Sequence, residues 1–156
     1  MSDYGMTVVE NHIPRTSDEV IANVSALEQA FKTNDQTVIP THHTLHGGMY
    51  ARTIYIPPGI VITGALIKRA TLLIVEGRGQ VYTGVNGGRS IKGYNVFSAS
   101  AHRKQVFVSE TGINMTMVFP TSAKTVDEAE QEFTDDFESL WSRNPDAVNH
   151  VNITGE

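Results

Sequence analysis

Apolar side chains recur at helical spacing near both ends of this chain and at strand spacing between them, and the two changes of period divide it. Within residues 16–34, Val20, Ile21, Val24, Leu27 and Phe31 step by three and four and share one face. Thr16-Ser17-Asp18-Glu19 precedes them, a hydroxyl with a carboxylate three residues on, which is the pattern that caps a helix start. From residue 38 to 120 the pattern becomes that of strands. Runs rich in β-branched and aromatic residues at 49–56, 60–63, 70–75, 80–83, 89–92, 96–99, 105–108 and 113–119 are separated by glycine-containing segments. Pro57-Pro58-Gly59, Glu76-Gly77-Arg78-Gly79, residues 84–88, Gly93-Tyr94-Asn95 and Glu110-Thr111-Gly112 read as the turns between them. Short strands at this spacing predict a barrel or sandwich.

A second capping pattern, Thr125-Val126-Asp127-Glu128, opens a helix predicted over 125–143. Val126, Ala129, Phe133, Phe137, Leu140 and Trp141 form its apolar stripe, with Glu130, Glu132, Asp135, Asp136 and Glu138 on a solvated opposite face. Residues 1–15 read as an arm and 144–156 as a frayed tail.

At 156 residues the chain is long enough to bury a core as one domain. It has no cysteine, which excludes disulfides, thiolate metal sites and cysteine nucleophiles. No apolar run reaches the roughly 18 residues of a membrane span, and the N-terminus has no apolar signal core. The expectation is a cytoplasmic protein with no membrane partner.

Charge adds what the periodicity lacks. Residues 41–120 hold eight cations (Arg52, Lys68, Arg69, Arg78, Arg89, Lys92, Arg103 and Lys104) against Glu76 and Glu110, whereas the whole chain carries −5. A basic strand-built region therefore lies between acidic flanks. Fixed positive charge around a concave surface concentrates anions, while the acidic flanks argue against a nucleic-acid polymer. Arg52, on the same strand face as Tyr50 and Ile54, is the expected inward charge, suited to a bidentate contact with phosphate or carboxylate. Alternation implies that only one of Lys68-Arg69, and one of Arg103-Lys104, faces inward. Ion pairs between these cations and the acidic helix of a neighbouring subunit would account for the charge split equally well. Strand tyrosines such as Tyr50 and Tyr94 could offer a planar wall. His42 and His46, four apart, with His102 from another strand, form the alternative metal set. Nucleophile elbows, phosphate-binding loops and paired barrel carboxylates do not occur, so the sequence leans away from catalysis.

The run from Ile56-Pro57-Pro58-Gly59 through Thr63-Gly64-Ala65-Leu66, followed by Glu76-Gly77-Arg78-Gly79, resembles the first cupin motif. Gly93 to His102 is similar to the second. More narrowly, 50–83 with 89–93 resembles small cupin-like proteins of tailed phages. The resemblance covers about half the chain, residues 41–120, and implies a mainly β fold: a single cupin-like jelly-roll β-barrel with N-terminal and C-terminal α-helices flanking it. It also shows a departure. Where cupins place metal-binding histidines, this chain has Thr63, Gly64, Ala65, Leu66, Ile67, Ala70 and Thr71, and only His102 survives. No metal or other cofactor is expected. The function expected is non-enzymatic binding of a small anionic, in its narrowest form nucleotide-like, ligand by Arg52, Lys68, His102, Arg103, Tyr50 and Tyr94. If the chain is phage-encoded, that implies sequestering a host nucleotide signal in the host cytoplasm. The rival expectations are a metal-dependent cupin-type enzyme using His42, His46 and His102, and a virion or assembly component. A homo-oligomer held by barrel edges and the helices is expected throughout.

Overall fold

The computed structural model describes residues 4–84 and 87–156. Among them eight strands form one continuous sheet that curls on itself: β1 (His12–Ile13), β2 (Thr41–His46), β3 (Met49–Ile56), β4 (Val61–Thr63), β5 (Thr71–Tyr82), β6 (Arg89–Ala99), β7 (Val106–Pro120) and β8 (Asn149–Ile153). Their order is β1-β6-β5-β7-β3-β2-β8, with β4 paired to the first part of β7. Two α-helices, α1 (Asp18–Phe31) and α2 (Val126–Phe133), flank the strands on the N- and C-terminal sides. The fold is thus mainly β, a cupin-like jelly roll with a helix on either side, as the sequence implies. Among the described residues no helix is long and apolar enough to cross a membrane.

Alternation explains the core. Leu73, Val75 and Val81 of β5, Phe97 of β6, Ile113, Met117 and Phe119 of β7 and Tyr50 and Ile56 of β3 point inward and are buried. Ala129 and Phe133 of α2 join that cluster from the C-terminal side.

Three expected turns are not turns. Residues 76–79, 93–95 and 110–112 lie inside β5, β6 and β7, which run unbroken through them. The glycines serve there as bends. The pairing of β5 with β7 shifts register between Gly77 and Gly79, a bulge that divides the continuous sheet into a larger sheet, in which β7 pairs with β3, and a smaller one, in which it pairs with β4. Gly77 has φ +136, and a Cβ on Gly77 or Gly79 would overlap the carbonyl oxygens of Gly112 and Val108. The expected turn at 84–88 falls partly on Val85 and Asn86, outside the described residues.

Both ends differ from expectation as well. The arm carries β1, whose two residues pair in parallel with Ser98 and Ala99. The 144–156 tail is not frayed: β8 adds to β2 in parallel, with Thr41 opposite Asn149 and Leu45 opposite Ile153. The helix expected to reach 143 stops at Phe133, and short 3₁₀ turns follow at Phe137–Ser139 and Trp141–Arg143. Its last turn contains no base to complement the helix dipole, and acidic residues follow directly. A tertiary contact then captures the end, because the Lys68 backbone N–H donates to the Phe133 carbonyl at 2.8 Å.

Candidate functional site: the barrel cavity

The inward faces of β3, β4, β5 and β7 do not meet. They line a half-open cavity of about 530 Å³, to which α1 and the 3₁₀ segment after α2 also contribute walls. Ile54, Leu73, Phe107, Met115 and Met117 give it apolar walls. Thr63, Gly64, Ala65 and Ile67, at the positions where the cupin resemblance would put metal ligands, also line it.

Arg52, Arg103 and Lys104 enter this lining. Arg52 donates from Nη1 to Glu130 Oε2 at 2.8 Å and from Nη2 to the Ser142 hydroxyl at 3.0 Å. Glu130 also accepts from Arg143 Nε at 2.9 Å. Expected on the solvated face of the helix, Glu130 is instead 3% exposed. Burial pushes its carboxyl up, but hydrogen bonds from Ser142 and Arg52, the Arg52 charge and Arg143 outweigh this and hold it below its usual value. Lys104 Nζ donates to Glu28 Oε2 at 3.1 Å and to the Gly64 carbonyl at 2.9 Å.

Arg103 differs from both. It is buried, and its guanidinium is held by neutral oxygens: the carbonyls of Arg69, Ala99 and Ser100 and the Thr71 hydroxyl, the last at 2.7 Å. Among the described residues no carboxylate lies within ion-pair distance of it. Burial without a counter-ion lowers its pKa to about 10, which leaves it cationic at neutral pH. Alternation had assigned only one of Arg103 and Lys104 to the interior, yet both line the cavity. They precede β7 and follow His102, whose φ of 61 breaks the extended path; an isolated bridge joins Arg103 to Ile67, and the Lys104 backbone N–H donates to the Thr16 hydroxyl at 3.0 Å.

Two donors in the lining have no partner. Gln105 Nε2 and Trp141 Nε1 are buried and make no hydrogen bond. Each is a polar group removed from water without compensation, at a cost of roughly 1–3 kcal/mol. Neither residue was among the expected ligand contacts. A glutamine entering a strand and a tryptophan on an apolar stripe give no sequence signal of this kind.

The remaining expected contacts do not line the cavity. Lys68 reaches Asp135 at 2.6 Å, on the outside of the C-terminal segment, and its neighbour Arg69 reaches Glu132 at 3.1 Å. The two thus turn toward one acidic surface rather than to opposite faces. His102 pairs with Asp18 at the start of α1, half-exposed. Tyr94 is 70% exposed, on the outer face of β6. Tyr50 is fully buried behind Arg52, whose Nη1 donates to its hydroxyl at 3.3 Å.

The three histidines of the alternative metal set are not brought together. His42 and His46 lie on the outer face of β2, His42 stacked on His150 and His46 bonded to the Thr154 hydroxyl, while His102 sits beside α1. Among the described residues no three His, Cys, Asp or Glu side chains stand close enough to hold an ion. The buried histidine is His43, between the Tyr50 hydroxyl at 2.7 Å and Asn149 Oδ1 at 2.6 Å.

No protein-family model matches the sequence, and a search of curated proteins finds no match. Solved structures do resemble it. A cupin-2 domain containing protein from Shewanella frigidimarina has 8% identity and a TM-score of 0.42, over 60% of this chain and 91% of the other. Ectoine synthase from P. lautus has 16% identity and a TM-score of 0.46, over 64% and 76%. A cupin 2 conserved barrel domain protein from Salinispora arenicola has 14% identity and a TM-score of 0.43, over 62% and 88%. Likeness at this level carries nothing about activity, substrate or metal.

Proposed function

We propose that the barrel binds a small organic ligand with an apolar body and an acidic or carbonyl-rich end, and that it does so without covalent chemistry. The observation that carries this reading is the pair of buried, unpartnered donors, Gln105 Nε2 and Trp141 Nε1, on residues that line the cavity beside Arg103; both nitrogens are covered by protein, so a guest meets them as the side chains turn. Two N–H donors and a guanidinium with no carboxylate partner call for oxygen acceptors, and the apolar walls call for a hydrocarbon or ring. A volume of about 530 Å³ suits a compact metabolite.

Binding rather than turnover is favoured by the state of the carboxylates that line the cavity. Glu28 accepts from Lys104 and Thr63, and Asp136 from Ser139, so a proton-transfer group would have to give up an existing bond. The narrower version, drawn from the phage-type resemblance, is a nucleotide-like ligand sequestered in a host cytoplasm. Phe107, Phe133 and Trp141 line the cavity and offer planar surfaces for a base.

Native mass spectrometry of the purified protein, before and after denaturation, tests the proposal directly. The expected result is release of a small organic acid. Calorimetry with aromatic carboxylates, 2-oxo acids and nucleoside 5′-monophosphates then identifies the class, with binding lost in Gln105→Leu and Trp141→Phe. No released mass together with no heat from any probe overturns it.

A further inference from the structure

The outer face of the larger sheet carries two adjacent rows of side chains with no charge, running across its full width. On its three central strands the outward positions are Ala51 and Thr53 of β3, Leu72 and Ile74 of β5, and Thr116 and Val118 of β7, aligned in two straight rows by the strand register. The rows continue through Val96 and Ser98 of β6, His42 and Thr44 of β2, and His150 and Asn152 of β8. They contain no Lys, Arg, Asp or Glu.

Charge is not excluded from outer faces in general. The same β5 and β6, past the bulge, carry Arg78 directly opposite Lys92 on the smaller sheet, both exposed. The two helices also leave the larger face open. Phe31 and Glu28 of α1 line the cavity, and Ala129 and Phe133 of α2 pack into the core, so both lie on the inward side. Leu72 is consequently 50% exposed and Val96 43%.

We infer that this face binds a second copy of the chain, outer sheet against outer sheet. In an isologous contact a residue near the two-fold axis meets its own copy, so a charge at the centre of the patch would meet its like. A chain of net charge −5 therefore pairs most readily through a patch whose centre carries none. A nucleic acid or a charged peptide would find nothing on it to pair with. The composition is that of an interface, apolar at the centre with hydroxyl, amide and imidazole groups toward both edges. Six strands about 4.8 Å apart and two rows of side chains make roughly 400 Å² seen flat. The exposed rings of Tyr55 and Tyr94 extend it along the next row, away from the centre, where the one carboxylate, Glu76, lies between them and accepts from Asn114. The pleated area then approaches the roughly 600–800 Å² per partner of a specific dimer. This places the contact on the sheet, not on the barrel edges and helices that the sequence suggested.

Size-exclusion chromatography with light scattering, over a dilution series, reads the result as a mass. The full chain should run at twice 17.1 kDa. Leu72→Glu and, independently, Val118→Glu should halve that mass while the circular dichroism spectrum stays that of the parent. Arg78→Glu, on the outer face of the smaller sheet, should keep the doubled mass. Should either central variant lose its fold, Ser98→Glu at the patch edge still weakens the pair without touching the core. A parent that is monomeric at every concentration overturns the inference, and so does a doubled mass that persists in Leu72→Glu and Val118→Glu alike.

Discussion

Arg52 Nη1 and Glu130 Oε2 stand 2.8 Å apart, joining a barrel strand to the C-terminal helix inside one chain. Together with Arg69–Glu132 and Lys68–Asp135, this contact explains part of the split of charge along the sequence. The basic strands and the acidic segments meet in part within one chain: four of the eight cations, Arg52, Lys68, Arg69 and Lys104, pair with carboxylates. Among the described residues Arg78, Arg89 and Lys92 make no ion pair but lie outside the cavity, whereas Arg103 is the unpaired cation that lines it, and this makes the cavity a candidate site.

Glu130→Gln should therefore be among the most damaging single changes. It leaves Arg52 and Arg143 facing a neutral amide where the carboxylate was 4% exposed, and breaking a buried ion pair in this way costs about 3–5 kcal/mol. Urea unfolding reads the loss. The sign of the pH dependence follows from the depressed carboxyl: its contribution is fully present above the usual value of 4.5 and is lost as pH falls below that. The acid limb of the stability profile should be shallower in Glu130→Gln than in the parent.

His43 predicts a second and separate pH effect. Burial pulls its pKa below 6.5, the hydrogen bond to Asn149 opposes that, and the Arg52 charge adds to it. The fold thus favours the neutral ring. Asn149 Nδ2 donates to the Ser142 carbonyl, which turns its Oδ1 toward His43, so Nε2 carries the ring proton and Nδ1 accepts from Tyr50. A folded-state value below the unfolded one means stability is full above 6.5 and declines as pH falls below it, because the unfolded chain takes up the proton more readily. Denaturant midpoints between about pH 7 and pH 5 should fall in the parent and stay flatter in His43→Gln. Nitrogen chemical shifts of the ring should report protonated Nε2 throughout the upper part of that range.

What the sequence disclosed followed the physics of each signal. Alternation located the strands because the sheet buries one face, and the second capping pattern placed Thr125 where its hydroxyl accepts from Glu128. The first pattern pointed one residue early: Ser17 is the cap that accepts from Val20, while the Thr16 hydroxyl accepts from the Lys104 backbone N–H. Glycine was misread at 76–79, 93–95 and 110–112, because a residue that ends a strand and one that lets a strand bend share the same freedom of φ. β8 escaped notice because its side chains are all exposed and it is held mainly by backbone pairing. Arg52 was legible as inward because it sits among apolar neighbours on a regular strand. Lys68 and His102 were not, because an irregular segment gives no face to count from.

The bulge makes a prediction that tests this account of glycine. Gly79→Ala should cost more than about 2 kcal/mol or prevent folding, since its Cβ would meet the Val108 carbonyl oxygen and the Ile113 side chain, and neither backbone can yield without breaking the β5–β7 pairing. Gly93→Ala is the comparison. A Cβ there meets nothing within 4 Å, and only the φ of +70 is strained, so about 1 kcal/mol is expected. Thermal unfolding of the two variants side by side should separate them clearly.

Gln105 separates a structural amide from one that serves a ligand. Its Nε2 is buried without a partner, so the ligand-free protein carries the cost of desolvating it and gains nothing in return. Gln105→Leu, close in volume, removes that cost. In protein stripped of small molecules by unfolding and refolding, the variant should be as stable as the parent or more stable by about 1–3 kcal/mol. In protein purified without that step, the order should reverse, because only the parent keeps a bound acceptor against the amide and gains the stabilisation that comes from occupancy. Equal loss of stability in both preparations would mean that the amide holds up the barrel wall instead. The cavity would then lose the donor that most directly argues for a guest.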